Sequence, residues 1–407
     1  MLRHPVDSSS GVLNLKSLRP TSLQPLTLWL KIDSIRYNSL VATSKTKVDK
    51  TFLAVSIILI VVGFFIFSSA SLGLLAKESS NYSSVAFSQT VLGLFLGTFG
   101  MIIATRLDFK FWKTSALYLF VFAVILNILV LIPSIGFAHG GARRWLMLGD
   151  ISFQPSELLK LAFILCFAAW ATYAKEKIAT FRWGFMPLLV LLAICGGLLL
   201  YQPDTDTFIL IVVTGLAMFI SAGGRWRYVF IVALVGVMGI AFLAFSRPYV
   251  MQRLTTFFNP AADSSGSGYQ IQQSLIAIGS GGLFGRGFGQ SVQKFTYLPE
   301  PVGDSIFAVQ AEEFGFVGSV LLIAIFTLFA VRGLKIASRT SNTFARLTVV
   351  GIVIMIISQA FINIGAMLGV LPLSGITLPF VSHGGTSLSI SLIEVGIILS
   401  ISKIQKS

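Results

Sequence analysis

Charged side chains are scarce in this 407-residue chain. Only 11% of its residues are charged, 55% are hydrophobic, and the mean hydropathy is +0.85. A soluble globular domain carries about 25% charged residues. The composition therefore argues against a water-soluble fold and indicates a membrane protein.

Cysteine and histidine are also rare, which limits the chemistry available to the chain. Cys166 and Cys195 both lie in apolar runs, where a thiol acts as a small hydrophobic group. They form neither a CxxC pair nor a disulfide framework. His383 has no companion ligand at metal-binding spacing. No cofactor is certain from this pattern, the metal content is unknown, and assistance by a divalent cation stays open.

Acidic residues are outnumbered by basic ones, 16 to 30, which gives a formal net charge of +14. In a nucleic-acid-binding protein such an excess clusters on one face together with stacking aromatics. Here the basic residues are scattered through short segments between apolar runs. We therefore predict membrane lipid as a partner of this charge, and no nucleic acid.

Long apolar runs are abundant. A helix needs about 20 mostly apolar residues to cross a bilayer. The sequence predicts an all-α polytopic membrane protein with about ten transmembrane helices. The predicted spans lie near residues 51–75, 85–105, 113–133, 156–174, 184–201, 207–222, 226–246, 305–331, 343–371 and 386–402.

The distribution of Lys and Arg predicts the orientation of these helices. If both termini are cytoplasmic, the cytoplasmic segments hold 22 of the 30 basic residues and the other side holds 8. Cytoplasmic loops carry the excess of positive charge in membrane proteins. Residues 1–50 are then a basic cytoplasmic tail and 51–402 the transmembrane domain. Residues 247–304 form a large outer loop between the seventh and eighth helices, and 403–407 a short cytoplasmic end.

Two pairs of charged residues frame the start of the fourth predicted helix. Arg143 and Arg144 lie on the outer side, and guanidinium groups suit phosphate oxygens. They are candidate diphosphate ligands, or else they contact lipid headgroups. Glu157 and Lys160 fall three residues apart on one helical face just inside the membrane, so we expect them to pair. Intramembrane ionisable residues are functional by default, and a purely structural ion pair is the alternative.

Asp304 stands at the outer entrance of the eighth predicted helix, next to the conformationally permissive Gly303. A carboxylate here could accept a proton from a sugar hydroxyl, because a general base needs hydrogen-bond reach and a suitable pKa. The alternative is that Asp304 only caps its helix. Glu300, Glu312 and Glu313 are weaker candidates for the same role.

Further residues on the outer side are secondary candidates. Gln202 and Asp204 belong to a Gln-Pro-Asp turn that predicts an N-cap for the sixth helix, and a role in lining a polar cavity stays open. Arg253 and Arg286 add positive charge to the outer loop and are candidate ligands of an anionic headgroup. The Gly-rich stretch 279–289 lacks the GxGxxG spacing and the βαβ context of a nucleotide site.

Seven motifs follow one another along the chain. They are GARRW (141–145), QPSELLK (154–160), QPD (202–204), GYQIQQSLIAIGSGGLFGRGFG (268–289), LPEP (298–301) with the following Asp304, AEEFG (311–315) and NIGAMLGVLPLSGITLPFVSHGGTSL (363–388). With these motifs, the chain from about residue 50 to 402 resembles the SEDS family of shape, elongation, division and sporulation proteins. That family includes peptidoglycan polymerases of the FtsW, RodA and SpoVE types.

The resemblance implies ten helices with cytoplasmic termini in the bacterial cytoplasmic membrane, at the division septum for an FtsW-type member. It implies glycan-chain extension from lipid II, in which Asp304 deprotonates an acceptor sugar hydroxyl and undecaprenyl diphosphate leaves with inversion. Arg143 or Arg144 together with Lys160 would then stabilise the departing diphosphate, and Glu157 would hold Lys160 in place. The implied partners are a class B penicillin-binding transpeptidase and other division proteins. The LPEP-to-AEEFG segment and the long tail favour the FtsW type over the RodA elongation type.

Five positions depart from the family pattern. Gly140, Asp206, Gly303, Ser305 and His383 stand where Asn, Gly, Thr, Phe and Tyr are usual, and His383 is kept as a secondary site candidate. A flippase for lipid-linked precursors is the alternative from another functional class, and a catalytically silent division scaffold is a third. A transporter needs polar groups near the middle of the membrane, whereas here they gather on the outer side, which favours the polymerase.

Overall fold

The structure is a computed structural model. It describes residues 48–76, 81–139, 142–148, 151–246, 248–259 and 266–404. The predicted basic tail lies outside these ranges except for its last three residues, and so do Gly140 and residues 405–407. Helices fill most of the described ranges.

The α-helices of the described ranges are labelled in chain order. They are α1 (Lys50–Ala76), α2 (Asn81–Phe87), α3 (Gly97–Arg106), α4 (Phe109–Val130), α5 (Pro155–Ala174), α6 (Met186–Tyr201), α7 (Thr205–Ser221), α8 (Trp226–Ser246), α9 (Pro248–Phe258), α10 (Ser267–Ser280), α11 (Gln293–Thr296), α12 (Ile306–Arg339), α13 (Thr343–Met367) and α14 (Gly385–Ser402). A π-helical segment, Ser88–Leu96, joins α2 to α3. A 3₁₀ turn, Lys175–Ala179, and a π-helical turn, Phe181–Phe185, connect α5 to α6.

The number of membrane helices agrees with the sequence. Nine helical stretches in the described residues are long and apolar enough to cross a membrane, and α7 is a tenth, shorter apolar helix of 17 residues. The prediction of about ten is therefore confirmed, with shifted ends. Helix α12 continues to Arg339 rather than 331, and α13 ends at Met367 rather than 371. Gly369, with a φ of 66°, takes the left-handed conformation that commonly ends a helix.

Three helices form the core of the bundle. The most apolar stretches of the spans containing α5, α13 and α14 are 78%, 72% and 89% buried, against 6% for α8. Helix α8 exposes large apolar side chains such as Phe230 and Phe242. An apolar helix surface without protein contacts is stable only against lipid. The residues carried by α5, α13 and α14 are therefore the ones held most firmly.

A small antiparallel sheet between α4 and α5 was not predicted. Its strands are β1 (Gly136–His139), β2 (Ala142–Leu148) and β3 (Ile151–Phe153), paired in the order β1-β2-β3. The all-α class is correct for the membrane domain, and this sheet is an addition at one end. That end, which also holds the N-termini of α5, α7 and α12, is called the sheet end.

The outer loop contains α9, α10 and α11, and its Gly-rich stretch docks onto a break in α12. The break is at Gly315, with φ 66° and ψ −164°. Phe316 N donates to Gly282 O at 2.9 Å, so the loop satisfies a backbone group freed by the break. A side chain on Gly315 would stand 2.3 Å from Gly285 N, and only glycine permits that approach. Gly281 and Gly285 therefore serve backbone packing, since a Cβ on either would stand 2.1 Å from a carbonyl oxygen of α12.

Candidate active site

Asp304 lies at the sheet end, in the turn that leads into α12. The N-cap residue of α12 is Ser305, and no side chain caps this helix end, so the capping interpretation of Asp304 is wrong. The Asp304 carbonyl accepts a hydrogen bond of 2.8 Å from Asn363 Nδ2, which also donates to Ile376 O at 2.7 Å. This amide fixes the Asp304 backbone against residues 368–384, the non-helical segment between α13 and α14 that we call the broken segment. Within the described residues the carboxylate itself accepts no hydrogen bond and remains partly exposed.

Asp206 and Arg253 form an ion pair beside Asp304. Arg253 Nη1 lies 2.8 Å from Asp206 Oδ2, and that oxygen also accepts from Gly375 N at 3.1 Å. Gly375 borders Asp304 too, since a Cβ placed on it would be 3.6 Å from Asp304 Oδ2. Asp206 follows the Gln-Pro-Asp motif at the position where Gly is usual in the family. Its carboxylate links helix α7 to the outer loop through Arg253 and to the broken segment through Gly375.

Arg144 belongs to the same region, and its neighbours come from the Gln-Pro-Asp turn. Its Nη1 lies 3.8 Å from Asp204 Oδ1, its Nε donates to Gln202 O at 3.3 Å, and its Nη2 donates to Pro203 O. Asp204 occupies the predicted N-cap position of α7. The Gln202 side chain points elsewhere and donates to Asn127 O at 2.9 Å. The Gln-Pro-Asp turn is therefore hydrogen-bonded to α4 through Gln202 and to Arg144 through its backbone carbonyls.

Six residues make up what we call the carboxylate cluster. They are Arg144, Asp204, Asp206, Arg253, Glu300 and Asp304. Four acidic groups face two cations, and the cations are already paired with Asp204 and Asp206. Among these six described residues, Glu300 and Asp304 are then left without a cation, and protonation of Asp304 reduces the repulsion between their carboxylates.

The pKa of the Asp304 carboxyl follows from its burial and from this surplus of negative charge. It is raised from 3.8 to about 7, mainly by burial, with the carboxylates of Glu300 and Asp206 adding to the effect. Arg253 and Arg144 act in the opposite direction. Burial also raises the pKa of Asp204, against the lowering effect of Arg144. A carboxylate with a pKa near 7 is suited to accept a proton at neutral pH, because general bases work best near the operating pH.

Arg143 and Arg144 do not act as a pair. They are neighbours on strand β2, and successive side chains of a strand point to opposite faces. Arg144 enters the carboxylate cluster, whereas the Arg143 side chain is exposed. Only Arg144 therefore lies where a ligand of Asp304 would contact it.

The predicted pairing of Glu157 and Lys160 is present in the first turns of α5. Lys160 Nζ lies 2.9 Å from Glu157 Oε1, and both side chains are nearly fully buried. Lys160 also donates to Gln359 Oε1 at 2.8 Å, and Gln359 Nε2 donates to Thr377 O at 3.0 Å. Through Gln359 the pair reaches the same broken segment that borders Asp304.

Glu312 and Glu313 do not belong to the carboxylate cluster. Glu313 Oε1 lies 2.6 Å from Lys294 Nζ, and its carboxylate accepts from Ser69 Oγ. Glu312 accepts from Ser291 Oγ at 2.5 Å and lies 3.6 Å from Arg286 Nε. Their side chains are 0% and 1% exposed. Both carboxylates are bound in fastening the outer loop to α1 and α12, so neither lies beside Asp304 as an alternative base.

Arg286 is likewise a loop-fastening residue, although its side chain is 43% exposed. His383 stacks on Phe67, and its backbone N donates to Val302 O at 2.7 Å. Burial lowers the pKa of the imidazole to about 4, so His383 is neutral at physiological pH. Its ring therefore adds no positive charge near Asp304.

Sequence reasoning missed Gln359 and Asn363. They lie four residues apart on α13 and so share one face of that helix. Two amides at this spacing within an apolar run were a readable signal, because buried polar groups need partners. For metals, the described ranges contain no group of three or more His, Cys, Asp or Glu side chains able to hold an ion.

A comparison with protein families decides the affiliation of the chain. The model of the FtsW/RodA/SpoVE family, described as cell cycle protein, matches residues 49–407. The chain belongs to this family.

Relatives in the FtsW/RodA/SpoVE family match most of the chain. Stage V sporulation protein E of Bacillus subtilis (strain 168) is 38% identical over 361 residues, which is 89% of this chain and 98% of that protein. The probable peptidoglycan glycosyltransferase FtsW of Coxiella burnetii is 42% identical over 347 residues, 84% of this chain and 93% of that protein.

Solved structures of the family share the fold. A chain of a peptidoglycan synthase complex, studied for its coordination of polymerization and crosslinking, aligns with a TM-score of 0.71 at 27% identity. The alignment covers 88% of this chain and 98% of that chain. The rod shape determining protein RodA of Thermus thermophilus aligns with a TM-score of 0.64 at 27% identity, over 88% and 98% of the two chains.

Proposed function

We propose that this chain is a peptidoglycan glycosyltransferase that polymerises lipid II on the outer face of the bacterial cytoplasmic membrane. The observation that carries the proposal is the state of Asp304. Its carboxylate is free of hydrogen bonds within the described residues, is partly exposed at the sheet end, and has a pKa of about 7. Family membership and the names of its relatives support the same reaction.

The reaction follows from what each group can do. An acceptor sugar hydroxyl transfers its proton to the Asp304 carboxylate, and its oxygen attacks the anomeric carbon of the donor. The bond from that carbon to the diphosphate breaks with inversion, and undecaprenyl diphosphate leaves with the electron pair. Arg144 and Arg253 are the cations beside Asp304, and exchanging their carboxylate partners for phosphate oxygens would stabilise the leaving group.

The test is lipid II polymerisation by the purified full chain in detergent, with and without a class B penicillin-binding protein. Asp304→Asn keeps the shape but removes the base, so we expect a loss of about 10²–10⁴-fold in rate. Glu300→Gln is the matched control, because it removes a neighbouring carboxylate and leaves Asp304 in place. Substantial polymerisation by a folded Asp304→Asn protein would overturn the assignment.

The pH profile separates a base from a merely structural carboxylate. Asp304 must be deprotonated to act, so we expect the wild-type rate to rise with pH through about 7. Glu300→Gln removes a charge that raises the Asp304 pKa, and its profile should move to lower pH. A wild-type rate that does not change with pH around 7 would contradict the base role, whereas identical profiles would show that Glu300 does not raise the Asp304 pKa.

The cellular role we propose is septal synthesis with both termini in the cytoplasm, in complex with a class B penicillin-binding protein and other division proteins. FtsW-named relatives support division over RodA-type elongation, and the related synthase complex supports a transpeptidase partner. A fluorescent fusion located at mid-cell and depletion that yields filaments would agree with this role. Lateral-wall localisation with loss of rod shape would assign elongation instead.

A further inference from the structure

A cavity lies at the far end of the bundle, opposite the sheet end. Its volume is about 440 Å³, and its polar lining consists of Thr172, Lys175, Glu176, Thr343 and Arg346. These residues come from the C-terminal end of α5, the turn after it and the first turn of α13. All three belong to the end away from Asp304, since α5 begins and α13 finishes at the sheet end.

The two cations of this cavity form no ion pair within the described residues. Lys175 is exposed and Arg346 is half-buried, and the Arg346 Nε atom is buried without a hydrogen-bond acceptor. A buried donor left unpaired costs free energy, so native proteins rarely keep one without a ligand, an ion or water. Glu176 lines the same cavity but pairs with neither cation. The net side-chain charge of the lining is therefore positive.

Two backbone features border the cavity. Lys175 has a φ of 49° and a ψ of −128°, a strained conformation that glycine adopts more easily. The first turn of α13 lines the cavity at Thr343 and carries partial positive charge, whereas the C-terminal end of α5 also lines it and carries partial negative charge. The two helix ends offset each other, so the charge of the site rests on its side chains.

We propose that this cavity binds a phosphate group, held by the guanidinium of Arg346 and the ammonium of Lys175. Arginine forks match phosphate oxygens, and a cavity of this volume has room for a phosphate-bearing headgroup. The phosphate comes from an anionic phospholipid headgroup or from a soluble phosphate compound. Basic pockets between membrane helices at the cytoplasmic side are suited to lipid headgroups.

The experiment measures thermal unfolding midpoints of the full chain in two arms. One arm compares nanodiscs of phosphatidylglycerol with nanodiscs of phosphatidylcholine, and the other titrates inorganic phosphate against chloride at constant ionic strength. The variants are Arg346→Gln, Glu176→Gln and, as control, Arg339→Gln, which removes an exposed cation of the same end that does not line the cavity. Arg346→Lys keeps the charge if Arg346→Gln fails to fold.

We expect wild type and Arg339→Gln to be stabilised by phosphatidylglycerol, by phosphate or by both. Arg346→Gln should weaken the response by about tenfold in apparent Kd, since it removes charge-assisted hydrogen bonds. Glu176→Gln should strengthen it by removing a repelling carboxylate. A response to phosphatidylglycerol alone identifies a lipid headgroup, and one to free phosphate identifies a soluble ligand. The proposal is overturned if wild type responds to neither probe, if all variants respond alike, or if Glu176→Gln weakens the response.

Discussion

Replacing Asp304 by Asn should stabilise the folded protein at neutral and alkaline pH while it removes activity. The folded pKa of about 7 lies above the ordinary value of 3.8, so the folded state binds a proton more tightly than the unfolded state. The stabilising effect of that proton is complete below about pH 4 and is lost as the pH rises through 7. Above that, the ionised carboxylate destabilises the folded state.

The size of the effect follows from the two pKa values. Each pKa unit corresponds to about 1.4 kcal/mol. Between pH 5 and pH 8 the wild-type protein should therefore lose roughly 3 kcal/mol of unfolding free energy from this one group. This is an upper value, because Asp304 keeps some contact with water, which screens the charge. Asparagine does not titrate, so the Asp304→Asn protein lacks this loss.

The assay is thermal unfolding of both proteins in detergent from pH 5 to pH 8, alongside lipid II polymerisation. We expect the difference in midpoint, variant minus wild type, to grow steadily with pH. Asp108→Asn is the control, because that residue caps α4 at an exposed position. A midpoint difference that stays constant over this range would show that Asp304 is not desolvated and would refute the derivation of its raised pKa.

Three further predictions concern the scaffold and the orientation. Removing Glu157 or Lys160 alone leaves an uncompensated buried charge, which should lower the free energy of unfolding by about 3–5 kcal/mol. The double variant should lose less than the sum of the two single variants. Additive losses in a double-mutant cycle would contradict direct pairing. Gly315→Ala places a side chain against the loop backbone at a positive φ, so chemical denaturation should show a loss of about 2 kcal/mol or more in unfolding free energy. Gly279→Ala is the control and should be nearly neutral, because its new methyl group meets nothing within 4 Å. A cysteine introduced at Ser338 should not be labelled by membrane-impermeant thiol reagents in intact cells. The distribution of Lys and Arg predicts that residues near 338 are cytoplasmic and that those near 260 are outside. Labelling of position 338 from outside would reverse the predicted orientation.

The membrane architecture was readable from the sequence because it depends on local quantities. A bilayer of fixed thickness demands about 20 apolar residues per helix, and that demand is satisfied within each segment. The i, i+3 spacing of Glu157 and Lys160 likewise determined their pairing, since one turn of helix sets the distance. The motifs, read in order, also indicated the family before any fold was known.

Only the tertiary structure decided which charged residues meet. Asp206, Arg253 and Asp304 lie far apart in sequence, and their neighbourhood depends on how α7, the outer loop and α12 pack. The same packing buried Glu312 and Glu313, although they follow Asp304 within nine residues, because the Gly-rich loop folds over that part of α12. A pKa depends on burial and on charges several ångströms away, so the sequence could nominate Asp304 but could not supply the environment that raises its pKa.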